Sequence, residues 1–255
     1  MVAEKAFTGP TINDSADLRT CESCKYGKAT RKPISDVRQS RRATKFGEEI
    51  HSDLWGPSPV MTPGQREYYV SFTDDYTRWT TIYLLRLKSD TFKAYKHFEA
   101  WAKTQHGIRG IKKLHSDRGG EYLSDAFTDH LESNGTTRIL MTHDTLDHNG
   151  VSERLNRTLL ERTRAVLHGS GSPKFLWGEA VNHIIWLKNR TITNALPAGK
   201  TPYELLHNEK PDLSKLHEWG CRVWVHDATG TKLDGRSRTG NWVGFDEESK
   251  AHRVY

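Results

Sequence analysis

Residues 49–55, Glu-Ile-His-Ser-Asp-Leu-Trp, read as a strand that ends near Asp53, before Gly56-Pro57 breaks the run. Residues 68–73 and 79–87 are rich in aromatic and β-branched residues and predict two more strands. Asp74, Asp75, Tyr76, Thr77 and Arg78 supply the turn between them, and turn chemistry accounts for the two acids. Ser89 or Asp90 can cap a helix whose Phe92, Tyr95, Phe98 and Ala102 share a face, and Gly107 ends it. A strand at 111–115, a short helix at 124–133 and a strand at 136–141 follow. Val151, Leu155 and Leu159 recur every four residues and define the stripe of a helix, with 142–148 as the loop before it. Ser172 and Pro173 occupy N-cap and N1 positions for a helix buried through Leu176, Ala180, Ile184 and Leu187. Thr201-Pro202-Tyr203-Glu204 reads as a capping box. The period then returns to two at 222–226 and 241–245, so the chain closes with strands.

Composition narrows the class of protein. The chain has 255 residues, 35% hydrophobic and 27% charged, enough for one sizeable domain with smaller appendages. No apolar run reaches the length of a membrane span, and the first residues lack the apolar region of a secretory signal. Three Cys exclude a disulfide framework and point to a reducing compartment. A net charge of +6 suits a polyanionic partner. The eight Trp are spread along the chain and read as core.

Three acids stand where chemistry is expected. Asp53 ends the first strand, and Asp117 follows the strand at 111–115 beside the Gly119-Gly120 turn. Glu153 lies two residues from Val151, about half a turn from the apolar stripe, and so faces a cleft. Carboxylates from two strand ends and one helix suit hard, oxygen-seeking cations such as Mg²⁺ or Mn²⁺. A pair of such ions about 3.5–4 Å apart can clamp the attacking and leaving oxygens of a phosphoryl transfer.

Asp53, Asp117 and Glu153, the last two separated by thirty-five residues, resemble the acidic triad of retroviral-type integrases. The neighbouring words Phe72-Thr73-Asp74-Asp75-Tyr76-Thr77-Arg78, Ser116-Asp117-Arg118-Gly119-Gly120-Glu121-Tyr122 and Asn149-Gly150-Val151-Ser152-Glu153-Arg154 narrow this to integrases of Ty1/copia-type retrotransposons. The resemblance runs from about Cys21 to the C-terminus. It implies an α/β, ribonuclease-H-like core with a mixed five-stranded sheet and flanking helices, and the β-β-β-α-β-α-β-α order fits that fold. It also implies a partial C-terminal SH3-like β module. The expected organisation is a basic N-terminal arm at 1–45, a core with helical extension at 46–210, and the β module at 211–255.

As activity the resemblance implies a metal-dependent polynucleotidyl transferase. Asp53 would bridge two Mg²⁺ ions, while Asp117 and Glu153 would each complete one. Water would first cut near the element's 3′ ends, and the new 3′-hydroxyl would then join target DNA. Homo-oligomers, DNA at both element ends and target, a cytoplasmic particle before import, and the nucleus as site of action are implied as well. RNA is a second candidate ligand.

Flanking residues extend this reading. From Lys25 to Lys45 there are eight Lys or Arg and one acid, Asp36. Lys25, Lys28, Arg31, Lys32, Arg41 and Arg42 are thus candidate phosphate contacts of an extended arm. Arg157 and Arg164 share the Glu153 face and, with Asn149, are candidate DNA contacts. Cys21-Glu22-Ser23-Cys24 is half of a zinc site. Tetrahedral zinc needs four ligands, and the His pair that copia-type integrases carry upstream is absent, so two reduced thiols are the competing reading. Leu146 and Asp147 depart from the family pattern near the expected site. Together with the missing His pair, they leave a catalytically inactive nucleic-acid-binding remnant as the alternative function.

Overall fold

The computed structural model describes residues 41–140, 146–227, 229, 231, 235–246, 249 and 251–255. Side chains of 146–150 are not described.

Strand β1 (Glu49–Trp55) pairs antiparallel with β2 (Tyr68–Asp74), which pairs antiparallel with β3 (Thr80–Leu85). Helix α1 (Thr91–His106) leads to β4 (Lys113–Ser116), and α2 (Asp125–Ser133) to β5 (Thr137–Leu140). β4 runs parallel to both β1 and β5, so the five-stranded sheet has the order β3-β2-β1-β4-β5. A long helix α3 (Leu146–Gly169) follows, then α4 (Trp177–Arg190) and the short α5 (Pro202–His207). A second sheet orders β6 (Arg222–His226), β7 (Ser237–Phe245) and β8 (His252–Val254) as an antiparallel meander.

Both faces of the main sheet are covered, which is why β2 is buried along nearly its whole length. Ile50, Val70, Phe72 and Leu114 pack against Tyr95 and Phe98 of α1 and Phe127 and Leu131 of α2. On the opposite face Tyr69 and Ile82 meet Leu155 and Leu159 of α3 and Trp177, Val181, Ile184 and Ile185 of α4. β1 therefore sends successive side chains to opposite faces. Ile50 and Leu54 join the first cluster, while Trp55 joins the second. Gly107 ends α1 at φ 63, the left-handed conformation expected of a terminal Gly.

Several local expectations are corrected. Helix α3 begins at Leu146, inside the segment read as a loop. Pro173 precedes a single 3₁₀ turn, Lys174–Leu176, and no side-chain cap is formed there. Asp90 does not cap α1; its carboxylate accepts from the Leu87 N–H. Thr201 does cap α5, accepting from Glu204 N–H at 3.0 Å. Glu204 itself turns to Lys200 rather than back to the cap.

Arg42 is also corrected. Expected on an extended arm, it donates to the carbonyls of Asp75, Tyr76 and Ala195 and so clamps the β2–β3 turn to the segment after α4. Its neighbour Ala43 is buried, and its N–H donates to Asp75 Oδ2 at 2.9 Å. Arg41 is exposed. Cys21, Cys24, Lys25, Lys28, Arg31 and Lys32 lie outside the described residues.

The C-terminal sheet gains a strand that the pattern did not reveal, β8. A lone hairpin is marginal in water. Here Trp219, Trp242 and Val243 pack on Leu176 and Ala180, and Arg253 on β8 makes two 2.7 Å bonds to Glu179 of α4. No helix among the described residues is long and apolar enough to cross a membrane.

Leu159 is fully buried between α3 and the sheet. Leu159→Ala should lower the free energy of unfolding by about 2–5 kcal/mol, measured by urea titration. A loss below that range would mean α3 is not anchored through this residue.

Candidate active site

The site is built by strand register. In the parallel β1–β4 ladder His51 stands opposite His115. Two residues further along each strand come Asp53 and Asp117, on the same face, with strands about 4.8 Å apart. Asp117 lies just past the end of β4, where the chain turns. Gly119 N–H donates to Asp117 Oδ1 at 3.0 Å and fixes that turn.

The turn also returns a fourth acid. A Cβ on Gly119 would lie 2.6 Å from Glu121 Oε1 and 3.0 Å from Asp117 Oδ1. Only glycine permits the Glu121 carboxylate to fold back over this position beside Asp117. Tyr122 then turns to the other face, where its hydroxyl meets Ser52 Oγ at 2.7 Å.

Glu153 comes from α3, and Asn156 sets where that helix lies. Asn156 Nδ2 donates to Asp53 Oδ2 at 2.6 Å, and its Oδ1 accepts from Tyr69 O–H at 2.9 Å. Glu153 is three residues earlier, one turn along the same side of the helix. It is exposed, as are Arg157 and Arg164 on that side. Arg164 Nε donates to the Leu160 carbonyl of its own helix at 3.1 Å. Asn149 belongs to α3, but its side chain lies outside the described residues.

Electrostatics show how closely these acids are gathered. The Asp53 carboxyl is raised from 3.8 to about 7. Burial is the chief cause, followed by the negative charge of Asp117, opposed by the Leu54 N–H, with further contributions from Glu153 and Glu121. Tyr69 and Tyr122 are raised too, by burial first and then by the same acids. Desolvated like charges of this kind favour either a proton or a cation. Every donor from the four acids is a carboxylate oxygen, which suits Mg²⁺ or Mn²⁺ better than softer ions.

Just inside, His51 and His115 are buried and stacked at 4.6 Å between ring centroids. His115 Nε2 lies 3.5 Å from Glu49, and His51 Nε2 lies 3.5 Å from Asp75. Ligand atoms of Glu49, His51 and His115 fall within 4.8 Å of one another, a mixed set that could hold a metal of intermediate softness. Glu121 and Asn156 were not singled out. The signal for Glu121 was the Gly pair before it, and for Asn156 its place three residues after Glu153.

Comparison with known proteins agrees with this geometry. Residues 43–143 match the family described as the integrase core domain. Over almost its full length the chain is similar to stretches of plant transposon Pol polyproteins, which is consistent with an integrase of the Ty1/copia type. It is 33% identical over 240 residues to the Retrovirus-related Pol polyprotein from transposon TNT 1-94 of Nicotiana tabacum, covering 93% of this chain and 18% of that protein. With the corresponding polyprotein of transposon RE2 from Arabidopsis thaliana it shares 30% over 245 residues, 95% of this chain and 16% of the relative. The chain therefore spans less than a fifth of the curated relatives it matches. A chain of the simian T-cell lymphotropic virus intasome, solved in complex with the PP2A regulatory subunit B56 gamma, shares the fold with a TM-score of 0.55. That match is 15% identical and covers 93% of this chain and 85% of the other. The core has the retroviral-integrase, ribonuclease-H-like architecture.

The raised Asp53 carboxyl has a consequence for stability. With a folded value near 7 against 3.8, the folded chain holds a proton over this window that the unfolded chain releases. The Asp53 contribution to metal-free stability is thus fully present below the lower value and is lost as pH rises through the upper one. Asp53→Asn should raise the melting temperature of metal-free protein at about pH 8 and leave it unchanged at about pH 4. Mg²⁺ should stabilise the parent chain more at the higher pH. Scanning calorimetry in chelator and in Mg²⁺ measures both; an Asp53→Asn variant no more stable than the parent at pH 8 in chelator would refute the charge account.

Proposed function

We propose that this chain is the integrase of a retrotransposon, a polynucleotidyl transferase that trims element DNA at its 3′ ends and joins those ends to target DNA. The observation that carries this reading is Asp53 on β1 under the charge of Asp117, which follows the end of the parallel β4, with α3 tied to Asp53 through Asn156. Mg²⁺ or Mn²⁺, as a pair, would supply Lewis-acid charge neutralisation and a more acidic attacking water. Asp53, Asp117 and Glu153 would hold these ions. Asp53 is central, since the other three acids all act on its carboxyl.

The protein's own groups have definable tasks. Asn156 orients the Asp53 carboxylate and is itself held by Tyr69. Arg157 and Arg164 can take the phosphates flanking the scissile bond, a role suited to guanidinium forks. In joining, the 3′-hydroxyl oxygen forms a bond to the target phosphorus, and the phosphorus–oxygen bond to the departing 3′ oxygen breaks. The proton lost by the first oxygen is balanced by the one the second gains. No histidine is needed as base.

Lys25, Lys28, Arg31, Lys32 and Arg41 would add phosphate contacts from the arm at 1–45. Residues 46–210 would act as catalytic core and 211–255 as the start of an SH3-like module. Joining two DNA ends calls for a homo-oligomer working in the nucleus. The alternative, a nucleic-acid binder without catalysis, draws on Asp147, an additional negative charge close in sequence to Glu153.

Asp117→Asn should abolish Mg²⁺-dependent strand transfer while circular dichroism and DNA binding across salt stay as in the parent. Full transfer by this variant would remove Asp117 from the site. If the parent itself binds DNA with a steep salt dependence yet transfers nothing, the non-catalytic reading takes over. Asn156→Ala is expected to lower the turnover rate about tenfold or more with little change in DNA affinity, because misplacing a reacting group costs rate.

A further inference from the structure

Helix α3 separates two regions of opposite charge. Glu153 and Asn156 face the acids. About half a turn round, Arg154, Leu155, Leu159 and Arg162 line a different cavity of about 340 Å³. The β2–β3 turn adds Arg78 to its wall, and α4 adds Ile184 and Lys188.

Four cations thus converge on one cavity, and no carboxylate-bearing residue lines it. Arg78 is paired with Asp75 at 3.2 Å, outside the lining. Lys188 Nζ donates to the Arg78 carbonyl and to Thr80 Oγ1, each at 2.7 Å, and so lacks a charged acceptor among the described residues. An ammonium offers three donors, which leaves one. Burial first, then Arg78 and Arg162, lower Lys188 from 10.5 to about 7. The crowding favours the neutral form of Lys188, and an anion in the cavity would restore its charge. Arg154 and Arg162 are exposed at the mouth. Leu159 and Ile184 give the floor an apolar character.

We propose that this cavity binds a phosphate group carried on a nucleotide-sized ligand. Guanidinium forks match phosphate oxygens in pairs, and the apolar floor accepts a planar base. The ligand is either the terminal nucleotide of a DNA strand or a free nucleotide; both present the same chemistry. The site does not depend on the roles given to Asp53, Asp117 and Glu153, which lie across the helix.

The test uses the full chain in chelator, so that catalysis plays no part. A fluorescent dinucleotide with a 5′-phosphate is titrated by anisotropy against the same dinucleotide without it. The parent should prefer the phosphorylated probe by about tenfold, the scale of one charge-assisted contact. Arg154→Ala with Arg162→Ala should erase that preference. Both residues are exposed, and an unchanged urea midpoint checks the fold. Lys93→Ala, a charge lost on α1, should keep the preference, and so should Asp117→Asn. Adenosine monophosphate competing at equal affinity would assign the free nucleotide as ligand; failure to compete would assign the strand end. No phosphate preference in the parent, an undiminished one in the double variant, or an equal loss in Lys93→Ala would each overturn the proposal.

Discussion

The structure depends on holding like charges together. Asp53 stands on β1, Asp117 follows the end of the parallel β4, Glu121 folds back beside Asp117, and Glu153 approaches from α3. Repulsion and desolvation both oppose this arrangement, as the raised Asp53 carboxyl records. What resists them is the backbone ladder of β1 and β4, itself locked between two apolar layers. One side-chain bond completes the clamp: Asn156 donates to the very carboxylate that the other acids act upon. A fold that stores such repulsion is readied for divalent cations, because their binding removes the term that destabilises the empty state.

Charge is segregated across α3. One side carries Glu153, Asn156, Arg157 and Arg164 toward the acids, and another carries Arg154 and Arg162, exposed at the mouth of the basic cavity. A helix repeats every 3.6 residues, so one element can serve an acidic pocket and a basic cavity without their groups meeting. Packing through Leu155 and Leu159 fixes the rotation of the helix about its axis. The same contacts therefore decide which charges reach which side.

Much of the core was legible because period and function coincide there. The 49–55 run was read as a strand ending near Asp53, and β1 runs two residues further, to Trp55, with Ile50 toward one face and Asp53 toward the other. What escaped the pattern depends on contacts distant in sequence. Arg42 looked like part of a basic run, yet its guanidinium bonds carbonyls on two separate segments. Glu121 was only one letter of a motif, and its place beside Asp117 comes from the turn at Gly119. Asn156 is chemically unremarkable in sequence, and its importance comes from meeting Asp53 across 103 positions. The start of α3 was missed because no apolar stripe extends back to Leu146. β8 was missed because three residues are too few to show a period.

Strand periodicity also explains the layer beneath the acids. Any residue two places before Asp53 or Asp117 must share its face, and both places hold histidine. The two rings stack and fill the space with bulk that adds no negative charge. Each faces a carboxylate deeper in, Asp75 or Glu49, at 3.5 Å. Aliphatic residues there would fill the volume but leave those carboxylates facing hydrocarbon. Further acids would deepen the repulsion that already raises Asp53. Imidazole meets both demands at once, so the sheet face grades from carboxylates at the rim, through aromatic nitrogen, to the buried turn that Asp74 and Asp75 hold in place.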